Sequence, residues 1–190
     1  MAQSATLYRV RMELSDVERS VYKTLEFRVA QHPSEGEERL LARVLAYGLF
    51  YEEGLEFGKG ISDADEPALL LRDLTGQLLH WIDVGAPSAD RIHLATKKSP
   101  RVTIIAHKGE DALSREMVKR KLHRAEEVCV YLFADNFIRD VTTAMTRNSD
   151  WTLVRTEGEL SLTIDEQSFA TDIRKIALPQ PSEHRKSRGG

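Results

Sequence analysis

Ala68-Leu69-Leu70-Leu71-Arg72-Asp73, then Leu74-Thr75-Gly76, then Gln77-Leu78-Leu79-His80-Trp81-Ile82-Asp83-Val84, reads as two apolar strands folded back about a short turn. Pairing Asp73 with Gln77 across that turn sets Leu71 against Leu79, Leu69 against Trp81 and Pro67 against Asp83. In this register Asp83 shares a sheet face with Leu79 and Trp81. Asp65 becomes its diagonal neighbour on that face, about 7 Å away between Cα atoms.

Upstream of the hairpin, His32-Pro33-Ser34-Glu35-Gly36-Glu37 announces a helix: Ser34 with Glu37 three residues on forms a capping box, and a periodic stretch follows to about Glu53, where Gly54 ends it. Earlier still, Thr6–Leu14 and Tyr22–Val29 alternate with period two around the polar stretch Ser15–Ser20, which predicts a first hairpin. Downstream, Ala86-Pro87-Ser88 breaks the chain and Ser88 caps a helix running to Lys98. Val102–Ala106 and Val128–Phe133 read as buried strands. Asp111–Ala125 reads as an amphipathic helix carrying Leu113, Met117, Val118 and Leu122 on one face, and Asn136–Met145 as another helix. Trp151–Arg155 and Glu159–Ile164 form a closing hairpin. The order predicts one α/β domain over residues 1–178, a mixed sheet with helices on its faces, and a disordered tail over residues 179–190.

With 41% hydrophobic and 30% charged residues in 190, the chain has the material for a core and a solvated surface. Its net charge of −3 argues against coating nucleic acid by bulk attraction, though a local basic face acts through its own field. Apolar runs such as Val128–Ala134 fall far short of the roughly 20 residues a membrane span needs. The start, Met1-Ala2-Gln3-Ser4-Ala5, lacks the pattern of an export signal, and one cysteine forms no intrachain disulfide; a reducing, cytoplasmic setting is expected.

Three groups of residues are candidates for chemistry. Glu38 lies on the stripe of Leu41 and Leu45 in the long helix, which places an acid at the edge of a core face; the alternative is a solvated first turn complementing the helix dipole. Asp65, or Glu66 if Pro67 breaks the register, and Asp83 would bring two carboxylates together, an arrangement that suits Mg²⁺; the alternative is a polar loop beside a capping residue. Basic residues gather at Arg115, Lys119, Arg120, Lys121 and Arg124, a helix face over residues 115–124 that suits a phosphate backbone or simply solvent. Gly58-Lys59-Gly60 is not a Walker loop, the six histidines show no ligand spacing, and Cys129 reads as an inert buried thiol.

The sequence resembles the YaeQ family of bacterial proteins. The likeness is carried by Thr6-Leu7-Tyr8, by His32-Pro33-Ser34-Glu35 leading to Glu38-Arg39, by Asp65-Glu66-Pro67 and by Trp81-Ile82-Asp83-Val84-Gly85. It implies a restriction-endonuclease-like core related to the PD-(D/E)XK nucleases, whose order of helix, hairpin, helix and strand is also the order found here. It implies Glu38 as the helix acid, Asp65 (or Glu66) and Asp83 as the metal-binding strand acids, and a Mg²⁺-dependent phosphodiesterase or a degenerate descendant of one. Gly85 stands where the superfamily has a lysine, so a basic group from the next helix, Arg91 first, then Lys97 or Lys98, would have to replace it. The alternative implied function is a non-catalytic nucleic-acid- or protein-binding module with a loose connection to transcription elongation.

Overall fold

The computed structural model describes residues 5–59, 65–117, 122, 124–134 and 136–179. Strand β1 (Thr6–Asp16) buries Tyr8, Val10, Met12 and Leu14 and exposes Arg9, Arg11 and Glu13, the alternation the sequence carries. It pairs antiparallel with β2 (Val21–Gln31), as predicted. After α1 (Glu37–Leu49) come the short β3 (Glu56–Phe57), β4 (Leu69–Arg72) and β5 (Leu78–Val84). Helix α2 (Ala89–Lys98) crosses over to β6 (Arg101–Ile105), and α3 (Glu110–Met117) to β7 (Val128–Phe133). Then follow α4 (Phe137–Thr142), β8 (Asn148–Thr156), β9 (Glu159–Ile164) and β10 (Gln167–Ala177).

All of these strands join one mixed sheet in the order β2-β1-β8-β9-β10-β7-β6-β5-β4-β3. Strands β5, β6 and β7 run parallel, joined by helical crossovers, whereas β4 and β10 flank them antiparallel. β10 is the splice. Its first half pairs with β9 and its second with β7, which makes one sheet of two halves. The sequence reading places no strand there: only Thr171 of β10 is buried, and the alternation is confined to Phe169, Thr171 and Ile173.

Helix α1 is buried nearly all round, nine of its thirteen residues, and touches β1 to β5 as well as α4. That environment explains Gly48: a Cβ there would stand 2.6 Å from Leu153 and 2.8 Å from Met12, so glycine lets the helix approach β1 and β8. This is the first core cluster, with Ile82 and Val84 facing α1 from β5. A second cluster lies on the other face of β5, β6 and β7, where Trp81 packs with Ala89, Ile92 and Ala95 of α2 and Leu113 and Met117 of α3.

Several expectations are corrected. Helix α1 is capped by Gly36, not by a Ser34–Glu37 box; the Ser34 hydroxyl instead meets His32 Nδ1 at 2.7 Å. The central turn closes with Asp73 N donating to Gln77 O at 2.9 Å, as predicted, but a bulge at Leu71/Arg72 slips the register by one. Leu71 therefore faces His80 and Leu69 faces Ile82. Arg124 adopts the left-handed conformation (φ 64°) before a single 3₁₀ turn at Ala125–Glu127, so no continuous helix reaches Ala125.

Candidate functional site

The bulge decides what surrounds Asp83. With the register slipped, Ala68 rather than Pro67 lies beside it, and Ala68 N donates to Asp83 Oδ1 at 3.3 Å. Trp81 Nε1 donates to Oδ2 at 2.8 Å. Ser88 caps α2 as the sequence indicates, its hydroxyl accepting from Arg91 N, and this sets Arg91 in the first turn pointing back at β5. Arg91 then grips Asp83 bidentately, Nε to Oδ2 and Nη2 to Oδ1, both at 2.8 Å. Its Nη2 also donates to the Glu66 carbonyl at 2.7 Å, and the guanidinium lies 5.4 Å over the Trp81 ring.

A carboxylate has about four lone-pair positions. Four donors fill those of Asp83, whose side chain is 5% exposed. The donor set therefore does not fit Mg²⁺, which needs those oxygens free. Nor does Arg91 fit the role of a base, since its guanidinium is held as the counter-ion.

The other expected acids do not join Asp83. Asp65 is exposed in a turn before β4, its carbonyl 3.4 Å from Lys98 Nζ. Glu66 turns its carboxylate to Lys59, accepting from Lys59 N at 3.0 Å. Glu38 is exposed on the α1 side of the sheet, whereas Asp83 points to the α2 side with Trp81. The predicted convergence of Glu38, Asp65 and Asp83 is absent, and among the described residues no three His, Cys, Asp or Glu side chains are grouped to hold a metal ion.

The buried acid in this region is Glu35, in the turn just before α1, which the sequence reading passes over. It is 5% exposed, accepts from Arg43 Nη1 at 2.9 Å, and forms a second ion pair with Arg39. Arg43 is itself buried, which pulls its guanidinium below the ordinary value against the opposing pull of Glu35. The signal was present as an acid followed at four and eight residues by arginine, one helical stripe.

Glu38 faces a cleft at the C-terminal ends of the parallel strands, the usual place for ligands in such sheets. Two cavities of about 640 and 470 Å³ meet there, and both are lined by Glu38, His107 and Lys108. Gly85 adopts φ +99° at the end of β5, and a Cβ on it would lie 3.5 Å from His107 Cε1. The position where the resemblance calls for a lysine thus looks onto His107. Neither ring nitrogen of His107 makes a hydrogen bond of good geometry with a described residue; the Ile105 carbonyl acts on the ring only loosely, so burial is incompletely compensated. Burial, then the charges of Lys108 and Arg39, lower its pKa to about 4, with the Ile105 backbone pulling weakly the other way. Neither Glu38 nor Lys108 makes an ion pair with a described residue. Ligand spacing alone passes over His107; its place just after a buried parallel strand is the cue.

Lys119, Arg120 and Lys121 lie outside the described residues; of the same basic span, Arg115 donates to the Asp111 carbonyl at 3.3 Å, and Arg124 is bound to Glu127 and to the Thr96 carbonyl. No described helix is long and apolar enough to cross a membrane.

Comparison with known proteins agrees with the resemblance. The YaeQ protein family model matches residues 1–173. A Salmonella typhi relative named uncharacterized protein YaeQ is 33% identical over 112 residues, which span 59% of this chain and 62% of that protein. The protein of the same name from Escherichia coli is 26% identical over 183 residues, 96% of this chain and all (100%) of that one. The crystal structure of YaeQ protein from Pseudomonas syringae superposes with a TM-score of 0.84 at 31% identity, covering 93% of this chain and 98% of that one. That of YaeQ protein from Xanthomonas axonopodis pv. citri gives 0.83 at 31% identity, covering 93% and 100%. This chain belongs to the YaeQ family.

Proposed function

We propose that the chain is a non-catalytic binding module built on a restriction-endonuclease-like frame, which binds its partner in the cleft around His107 instead of cleaving a phosphodiester with a metal ion. The frame is supported by the order of α1, β4, β5, α2 and β6, with β4 antiparallel and β6 parallel to β5. One observation carries the functional half: Arg91, Trp81 and Ala68 saturate the Asp83 carboxylate, so the strand acid a metal would need is already neutralised. Crowded carboxylates held by a cation do chemistry; one carboxylate locked to a guanidinium organises a fold. The cleft holds Glu38 and Lys108, which make no ion pair with a described residue, and the buried ring of His107.

The test is a cleavage and binding screen over single- and double-stranded DNA and RNA with Mg²⁺ or Mn²⁺. The module predicts no divalent-dependent product at any protein concentration. Cleavage that needs the metal and disappears in Asp83→Asn would overturn it.

A further inference from the structure

His107 is a polar ring held at a loss. Its nitrogens are buried and, among the described residues, make no hydrogen bond of good geometry, the Ile105 carbonyl acting on the ring only loosely, yet the residue lines both cavities of the cleft. Gly85 leaves the ring its space, with nothing nearer than 3.5 Å to where a Cβ would stand. A turn of the ring toward the cleft would let a nitrogen donate to a bound group and remove the loss.

The charges around the ring say what that group is. From the loop after β6 comes Lys108, exposed and without an ion pair to a described residue. From α1 come Arg39 and Glu38, and from the turn just before it Glu35. Glu35 is neutralised by Arg39 and Arg43, and Arg39 uses one of its five N–H donors on it. From α4 comes Arg139, which lines the second cavity and lies 3.6 Å from Asp140. The two charges that act on the ring are both cationic, Lys108 and Arg39. Glu38 sits on the opposing wall, where it suits a hydrogen-bond donor on the rest of the ligand.

Resting on the binding reading above, we propose that this cleft takes a small oxyanion-bearing ligand, a carboxylate or a phosphate, held by Lys108, Arg39 and the turned ring of His107. A bound anion favours the imidazolium, so it raises the pKa of His107, and by the same linkage affinity rises as pH falls.

The experiment titrates the protein with acetate and with inorganic phosphate at constant ionic strength and follows the His107 ring resonances by NMR. The expected result is a saturable shift with at least one probe and a His107 midpoint raised by about one unit, equivalent to about tenfold tighter binding to the protonated ring. Lys108→Ala should weaken that binding about fivefold, and Glu38→Gln should strengthen it, as removing one attractive and one repulsive surface charge requires. Response to acetate alone assigns a carboxylate ligand, to phosphate alone a phosphate ester, and to both the shared oxyanion. No saturable shift with either, or a shift indifferent to Lys108→Ala, overturns the proposal. Divalent-dependent cleavage would sink the binding reading itself, whereas a silent His107 without cleavage sinks only the oxyanion assignment.

Discussion

Arg91 and Asp83 are joined by two parallel hydrogen bonds of 2.8 Å, across the gap between the first turn of α2 and the end of β5. The pair fixes the α2 crossover to the sheet and, through the Glu66 carbonyl, the chain leading into β4. Its two ends differ in exposure, 5% for the aspartate side chain against 21% for the arginine.

That difference sets the direction of the first prediction. Arg91→Ala strands a buried carboxylate and should cost about 3 kcal/mol; Asp83→Asn leaves a partly solvated guanidinium and should cost less. Removing both should cost less than the sum, with a coupling above about 1 kcal/mol. Urea denaturation of the four proteins measures it, and additive losses would show that the pair is not coupled.

How far the sequence revealed this can be judged from single residues. Ser88 as the α2 cap and the Asp73–Gln77 turn were legible, because each depends on residues within a few positions of one another. The bulge at Leu71/Arg72 was not, since Leu69 to Leu71 offer apolar side chains to either face and a one-residue slip leaves the pattern equally good. That slip changes the expected site: Asp83 pairs with Arg91 and has Ala68 beside it, while Glu38, two positions after the Gly36 cap, lies in the solvated first turn that was the alternative to an inward stripe. β10 was invisible because it is exposed on most positions, and the order of the sheet with it.

The buried acid just before α1 gives a second prediction. Glu35→Gln leaves Arg43, 3% exposed, without its carboxylate, and should destabilise by about 3 kcal/mol. Glu38→Gln, in the exposed first turn, should stay within about 0.5 kcal/mol of the parent. Equal effects in chemical denaturation would contradict the assignment of Glu35 as the structural acid.

Acid should weaken the fold through two histidines. His80, its Nε2 paired with Thr103 Oγ1 at 2.9 Å, has its pKa lowered to about 4 by burial first and by Arg101 next, with Glu52 opposing. His107 is lowered to about 4 as well. Both are depressed from the ordinary 6.5, so between those values the unfolded chain binds more protons than the native one. Stability is then full above about pH 6.5 and falls as the pH drops toward 4, by up to about 1.4 kcal/mol per pH unit for each histidine. Melting curves from pH 8 to 4 on His80→Gln should show a shallower fall than the parent; an unchanged slope would remove His80 from the account.

Restoring a lysine at the end of β5 should not restore chemistry. Gly85→Lys forces a side chain onto a left-handed φ of +99° against His107, which should destabilise by about 1–2 kcal/mol. No divalent-dependent cleavage should appear, because Asp83 remains bound by Arg91; cleavage gained by this variant would mean that only the lysine had been missing.

Thermal unfolding with and without Mg²⁺ or Mn²⁺, on the parent, Asp83→Asn and Arg91→Ala proteins, tests the central claim most directly. An Asp83 carboxylate already saturated by Arg91 predicts that millimolar metal leaves the melting temperature of the parent and of Asp83→Asn unchanged, while Arg91→Ala, its carboxylate freed, gains stability from the cation. A rise in the melting temperature of the parent that Asp83→Asn abolishes would contradict it, and would make Asp83 a metal ligand.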